Sequence, residues 1–155
     1  MIRIVLAAAL TVALFAASLP AVDDARADRT AARLDADLDR FERTARDLAA
    51  REDPVEPGTP GARRTVEIRL PGRSWTAEPV EAVRIGCPRP RCRSATVTYR
   101  LSGGSVERRR VDGVALRTPG GAISLREPGV HRLRMTLERR NGAPTVIVRR
   151  SRGGI

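Results

Sequence analysis

Three regimes of hydrophobic spacing follow one another along the chain. Residues 4–22, IVLAAALTVALFAASLPAV, carry no charged side chain, and apolar residues fall on every face of the helix they predict. A helix of that length rises about 28 Å, close to the roughly 30 Å hydrocarbon core of a bilayer. From Ala27 the apolar positions become periodic: Ala27, Ala31, Leu34, Leu38, Phe41, Ala45 and Leu48 are spaced alternately by four and three. This heptad stripe predicts an amphipathic helix over residues 23–52. Asp39/Arg43 and Glu42/Arg46 stand four apart with the acid first, the favourable order for pairs along a helix. Pro54, Pro57, Gly58, Pro60 and Gly61 then stop the helix, and residues 53–62 read as a hinge between a stalk and a domain.

Beyond residue 62 the period shortens to two. Val66, Ile68 and Leu70 alternate with Glu67 and Arg69, and Ala95, Val97, Tyr99 and Leu101 alternate with Thr96, Thr98 and Arg100. Further strands are expected at 80–85, 106–111, 114–117 and 123–126, separated by Gly- and Pro-bearing turns. Leu133, Met135 and Leu137 share one face of another strand, and Asn141-Gly142 supplies the residues a tight hairpin needs before Val146–Val148 returns. The predicted class is α+β: an N-terminal membrane helix continuing into a heptad helix, then a small, mostly antiparallel β-meander domain. Its divisions are an anchor or signal segment (1–22), the heptad helix (23–52), the hinge (53–62), the sheet domain (63–150) and a short tail (151–155).

Charge divides the chain at the same boundaries. All 29 basic residues are Arg, against 18 acidic ones, giving +11. Residues 23–56 hold eleven acidic residues against seven Arg, a balance of −4, whereas residues 57–155 hold seven against 21, or +14. Such asymmetry points to a polyanionic partner or an acidic surface, although the total absence of Lys is also what genome composition bias produces. Arg3 precedes the apolar run and Asp23 and Asp24 follow it. The positive-inside bias therefore places the N-terminus in the cytoplasm and the rest beyond the membrane. Small residues at Ala16 and Ser18, or Ala25 and Ala27, also suit a cleaved secretory signal, which exports the remainder equally.

Period two also places the arginines. Arg132 and Arg134 lie opposite Leu133 and Met135, Arg100 lies opposite Tyr99, and Arg108 and Arg110 share one side of their strand. These five predict an arginine field on one sheet face, suited to DNA or an acidic polymer with salt-sensitive affinity. The competing reading is a solvated face whose charge protects edge strands. Only Trp75 and Tyr99 are available in this domain to stack bases, and Tyr99 belongs to the apolar face.

Catalytic chemistry is sparsely provided for. Cys87 and Cys92 stand five apart, and in an oxidising compartment a disulfide between them is permitted if the intervening Pro-Arg-Pro-Arg stretch bends. With His131 they offer at most three ligands at spacings unsuited to zinc. His131 stands between Val130 and Arg132 without a nucleophilic partner and reads as a surface histidine. The Gly103-Gly104 and Gly120-Gly121 pairs are hairpin glycines rather than phosphate loops. No catalytic residue, metal or cofactor is expected.

An apolar helix continuing past Pro20 into a heptad helix, followed by a short antiparallel domain, resembles the design of type IV pilins and type II secretion pseudopilins. The stretches Thr96-Val-Thr-Tyr-Arg-Leu-Ser-Gly-Gly-Ser-Val-Glu-Arg-Arg and Gly129-Val-His-Arg-Leu-Arg-Met are similar to strands of minor pseudopilins. The chain also resembles an uncharacterised family of small exported proteins from halophilic archaea. The pilin likeness implies a non-enzymatic accessory subunit of a pilus, secretion or cell-envelope system, with the membrane and other envelope proteins as partners. On that reading Leu34, Leu38, Phe41 and Leu48 form a docking face for another helix; the alternative is that the stripe packs on the protein's own sheet. The likeness stops at the leader: Met1-Ile-Arg3 runs straight into Ile4, and no acidic residue occurs before Asp23.

Overall fold

The computed structural model describes residues 2–86, 94–102 and 104–151. The protein is α+β: one long N-terminal helix, α1 (Ile2–Arg51), is followed by eight strands among the described residues. These are β1 (Arg63–Leu70), β2 (Val80–Gly86), β3 (Ala95–Leu101), β4 (Val106–Val111), β5 (Leu116–Arg117), β6 (Ile123–Leu125), β7 (Gly129–Arg140) and β8 (Ala143–Arg150). The apolar and heptad halves of α1 are continuous, and their surroundings differ completely. The first half is bare, and its most apolar window is 0% buried. It is the one helix among the described residues long and apolar enough to cross a membrane. The second half turns its stripe into the domain, where Leu34, Leu38, Phe41, Ala45 and Leu48 are almost wholly buried.

The strands form two four-stranded sheets rather than one continuous meander, with orders β1-β7-β8-β5 and β4-β3-β2-β6. All neighbouring pairs are antiparallel except β5 with β8. β1 is an edge strand whose partner lies far along the chain, Val66 standing against Leu133 and Glu67 against Arg132. The alternation read from the sequence holds in both sheets. Val66, Ile68, Leu133, Met135, Leu137, Val146 and Val148 from the first, and Val83, Ile85, Val97, Tyr99 and Val111 from the second, share one core with the helical stripe. At the β7–β8 hairpin, Asn141 (φ 53°) and Gly142 (φ 76°) both take the left-handed conformation that a two-residue primed turn requires.

The helix is stitched to both sheets through polar groups as well. Asp37 accepts the backbone N–H of Arg69 at 2.9 Å, filling a donor on the free side of edge strand β1. Thr30 Oγ1 accepts the N–H of Glu78 at 3.0 Å. Because half of α1 belongs to the core, residues 53–62 are not a hinge between independent bodies. Within them Val55 is bridged to β7, donating its N–H to Leu137 and accepting at its carbonyl from Arg139 at 2.8 Å. Pro and Gly end the helix there as expected, and hydrogen bonding to the sheet edge then holds the chain in place around Val55.

Candidate anion-binding groove

The five arginines expected on one face are divided between two sheets. Arg132 and Arg134 alternate outward from β7 in the first sheet, whereas Arg100, Arg108 and Arg110 belong to β3 and β4 in the second. Two of the five are matched by acids. Arg132 Nε bonds Glu67 at 2.9 Å across the β1–β7 ladder, and Arg100 lies 4.0 Å from Glu81. The single arginine field is therefore replaced by a smaller and better defined feature on the outer face of the second sheet.

That feature is an open groove of about 620 Å³ lined by Arg84, Gly86, Thr96, Thr98, Arg108, Arg110 and Ala122. Strand register explains the assembly. Arg108 pairs with Thr98, which pairs with Arg84, which pairs with Ser124, giving one row across β4, β3, β2 and β6. The adjacent row runs Arg110, Thr96, Gly86. Interstrand spacing sets Arg84 and Arg108 on the order of 10 Å apart, and Arg108 and Arg110 stand ~7 Å apart along their strand. Gly86 leaves room for the neighbouring chain: a Cβ there would lie 2.8 Å from the Cα of Ala122. Ser124 Oγ, on the Arg84 row, is buried with no hydrogen-bond partner among the described residues. Among the described residues no acidic residue lines the groove, and none of its three arginines is ion-paired.

Arg109, between two groove arginines, shows what distinguishes them. Alternation along β4 turns it towards α1, where Nε bonds Glu42 at 2.9 Å and a terminal nitrogen bonds Asp39. Burial works to lower its pKa, but the hydrogen bonds it donates to Asp39 and Glu42 outweigh it and the guanidinium is held above its ordinary value. Glu42 is only 5% exposed and also accepts from Arg46 at 2.8 Å. Tyr99, on the core side of β3 as expected, donates its phenol proton to Asp35 at 3.4 Å. Its pKa is raised, chiefly by burial, with the nearby Asp35 and Glu107 carboxylates adding to the effect.

Three further expectations meet the structure. Leu34, Leu38, Phe41 and Leu48 are 0–1% exposed, so their docking partner is the protein's own pair of sheets and no face of the stripe remains for another helix. His131 is buried at 6% exposure instead of lying on the surface. The carbonyl of Glu127, 2.7 Å from Nε2, can only accept, while Arg150 approaches Nδ1 at 3.3 Å as a donor. The ring is thus a structural link between the end of β8 and the turn before β7. Cys87 and Cys92 lie outside the described residues.

Arg84, Thr96 and Thr98 join the groove without having been singled out in the sequence. Their signal was present in the alternation: Arg84 stands between buried Val83 and Ile85, and the threonines alternate with Ala95, Val97 and Tyr99. What a linear reading lacks is the register that sets β4 beside β3 and β3 beside β2. Among the described residues no cluster of His, Cys, Asp and Glu is arranged to hold a metal ion.

No curated protein and no solved structure matches the chain. A family model covers residues 1–151, nearly its whole length and both halves of α1 with the two sheets, and the chain accordingly belongs to the family described as a domain of unknown function (DUF7311).

Proposed function

We propose that the protein is a membrane-anchored, non-enzymatic envelope module that presents an arginine groove to an anionic polymer, DNA or an acidic surface polymer, beyond the membrane. The observation that carries this reading is the set of Arg84, Arg108 and Arg110 around Thr96 and Thr98, with no carboxylate among the described lining residues. Guanidinium groups bind phosphate and carboxylate through paired N–H donors, and spacing of ~7–10 Å suits successive charges of a polymer better than one small ion. The groove lies on a sheet face turned away from the core and from the helix acids. Anchoring is supported by the bare apolar half of α1, and the outward orientation by Arg3 before the apolar run and Asp23 and Asp24 after it.

The test is a titration of the full-length chain in nanodiscs with labelled duplex DNA and, separately, an acidic polysaccharide over a salt series. Affinity is expected to fall steeply with salt. If three phosphates are engaged, replacing Arg84, Arg108 and Arg110 by Gln reduces the slope of log K against log salt by roughly 2–3 on duplex DNA. Arg132→Gln with Arg134→Gln leaves it nearly unchanged. Absence of binding to either polymer at low salt, or equal losses in the two variants, would refute the groove as the site.

A second reading, a pilin-like accessory subunit of a pilus or secretion system, is favoured by one observation: a single continuous helix is naked along its first half and embedded in a β domain along its second. Because the heptad stripe is internal, filament contacts on this reading come from the apolar half of α1 or from the outer sheet faces. Crosslinking in intact membranes distinguishes the readings, since recovery of pilus or secretion components supports the second and recovery of polymer alone supports the first.

A further inference from the structure

Trp75 is 89% exposed, the most exposed large hydrophobic residue of the sheet domain, and its position follows from the direction of β1. Arg64, near the start of β1, pairs with Glu52 beyond the end of α1, while Arg69 reaches back to Asp37. β1 therefore runs towards the N-terminal half of the helix. The segment after it continues the same way until Glu78 meets Thr30. Between them the chain doubles back in a tight turn closed by the Ser74 N–H on the Ala77 carbonyl at 3.3 Å, with Trp75 at its tip.

A second turn lies alongside. Leu70 pairs with Gly129, and a Cβ at Gly72 would sit 3.3 Å from Pro128, so residues 126–130 flank the Trp75 turn. This end of the domain exposes Trp75 and Val130 together with Arg73 and Arg126. Glu127 stands in the second turn, and on the helix Asp23, Asp24 and Asp28 follow the apolar run, Asp23 paired with Arg26 at 3.1 Å.

The vertical distances are short. The uncharged run ends at Val22, and Thr30 is eight residues further along, about 12 Å of helix rise. The headgroup layer occupies roughly 5–8 Å of that interval on each side of a bilayer. A turn that projects from the level of Thr30 towards Val22 brings an indole to the depth where Trp is most favourable, with its apolar body among lipid and its N–H in the wet layer.

We propose that this end of the domain is a lipid-seating surface, with Trp75 entering the headgroup region and Arg73 and Arg126 reaching towards lipid phosphates of the same bilayer that α1 crosses. The inference rests on the reading of residues 4–22 as a retained membrane anchor, and is independent of what the groove binds. It assigns a role to an exposed Trp that the core does not use.

Trp75 is the sole tryptophan, so intrinsic fluorescence reports on it alone. The full-length chain is reconstituted into vesicles of phosphatidylcholine and phosphatidylglycerol, and flotation after alkaline washing establishes whether it is anchored. The expected result is flotation with blue-shifted emission, protection from iodide, and quenching by lipids brominated close to the headgroup. Arg73→Glu combined with Arg126→Glu, both on exposed side chains, is expected to weaken that quenching while flotation persists. Flotation with Trp75 open to iodide and untouched by brominated lipid overturns the seating surface and leaves the anchor standing. Failure to float overturns both. Unchanged quenching in the charge-reversed protein overturns the role given to the arginines.

Discussion

Glu42 shows how one side chain settles the assignment of its neighbours. Its two oxygens are taken by Arg46 along the helix and by Arg109 across the domain, and it is otherwise shut off from water. Glu42→Ala leaves both guanidinium groups short of a partner; since each retains contact with solvent, the expected loss is about 2 kcal/mol rather than the larger cost of a fully buried orphan, read as a lower urea midpoint. Phe41→Ala, next to it in sequence but inside the core, is expected to cost about 3–5 kcal/mol. Tyr99 gives a pH signature. Its pKa is raised above the ordinary 10.0 in the folded state, so folding favours the protonated phenol. That stability is fully present below about pH 10 and is lost as pH rises through the folded-state value. Tyr99→Phe is therefore expected to flatten the alkaline limb of a stability profile recorded by thermal denaturation. The distinction between Arg109 and its neighbours was legible from period two alone. The burial of His131 was not, because its cover comes from Glu127 and from Arg150, 19 residues along the chain.

At the scale of elements, the periods that name a helix or strand are local, whereas its partners are not. Spacings of four and three marked Leu34 to Leu48 as one face of a helix, and the structure buries that face; the same pattern serves a coiled coil or a self-packed helix equally well. Alternation marked the strands, and Asn141-Gly142 marked a turn whose backbone demands particular residues. Gly142→Ala, at φ 76°, is expected to destabilise the β7–β8 hairpin by about 1–2 kcal/mol, measurable as a shifted denaturation midpoint with unchanged slope. Division into two sheets was hidden because β1 pairs with β7 and β5 with β8 in parallel, contacts set by the shape of the shared core rather than by any adjacent turn. The groove was half legible for the same reason: Arg108 and Arg110 announce their common side, while Arg84 joins them only through β3.

For the whole molecule, opposite charges are brought together and then left in excess. The −4 stretch is not a separate stalk: Asp39 and Glu42 are spent on Arg109, and Glu52 on Arg64. What remains on the outer sheet faces is arginine. Because the apolar half of α1 makes no part of the core, a chain lacking residues 2–22 is expected to keep its fold and melting temperature, checked by circular dichroism and thermal denaturation, while losing flotation with vesicles.

The pairing of β1 with β7 also dictates the order of events during synthesis. The stripe Leu34–Leu48 emerges early, yet the strand that closes the first sheet over it spans Gly129–Arg140. At ordinary elongation rates roughly 5–20 s separate the completion of the helix from the arrival of its cover. Throughout that interval the nascent chain carries a second apolar helix face close behind the first. Only the second of the two belongs to the domain core. The charges interleaved with it, Asp35, Asp37, Asp39, Arg40, Glu42 and Arg43, make its insertion into a bilayer costly, and so set it apart from the uncharged run before any tertiary structure exists to enforce the difference.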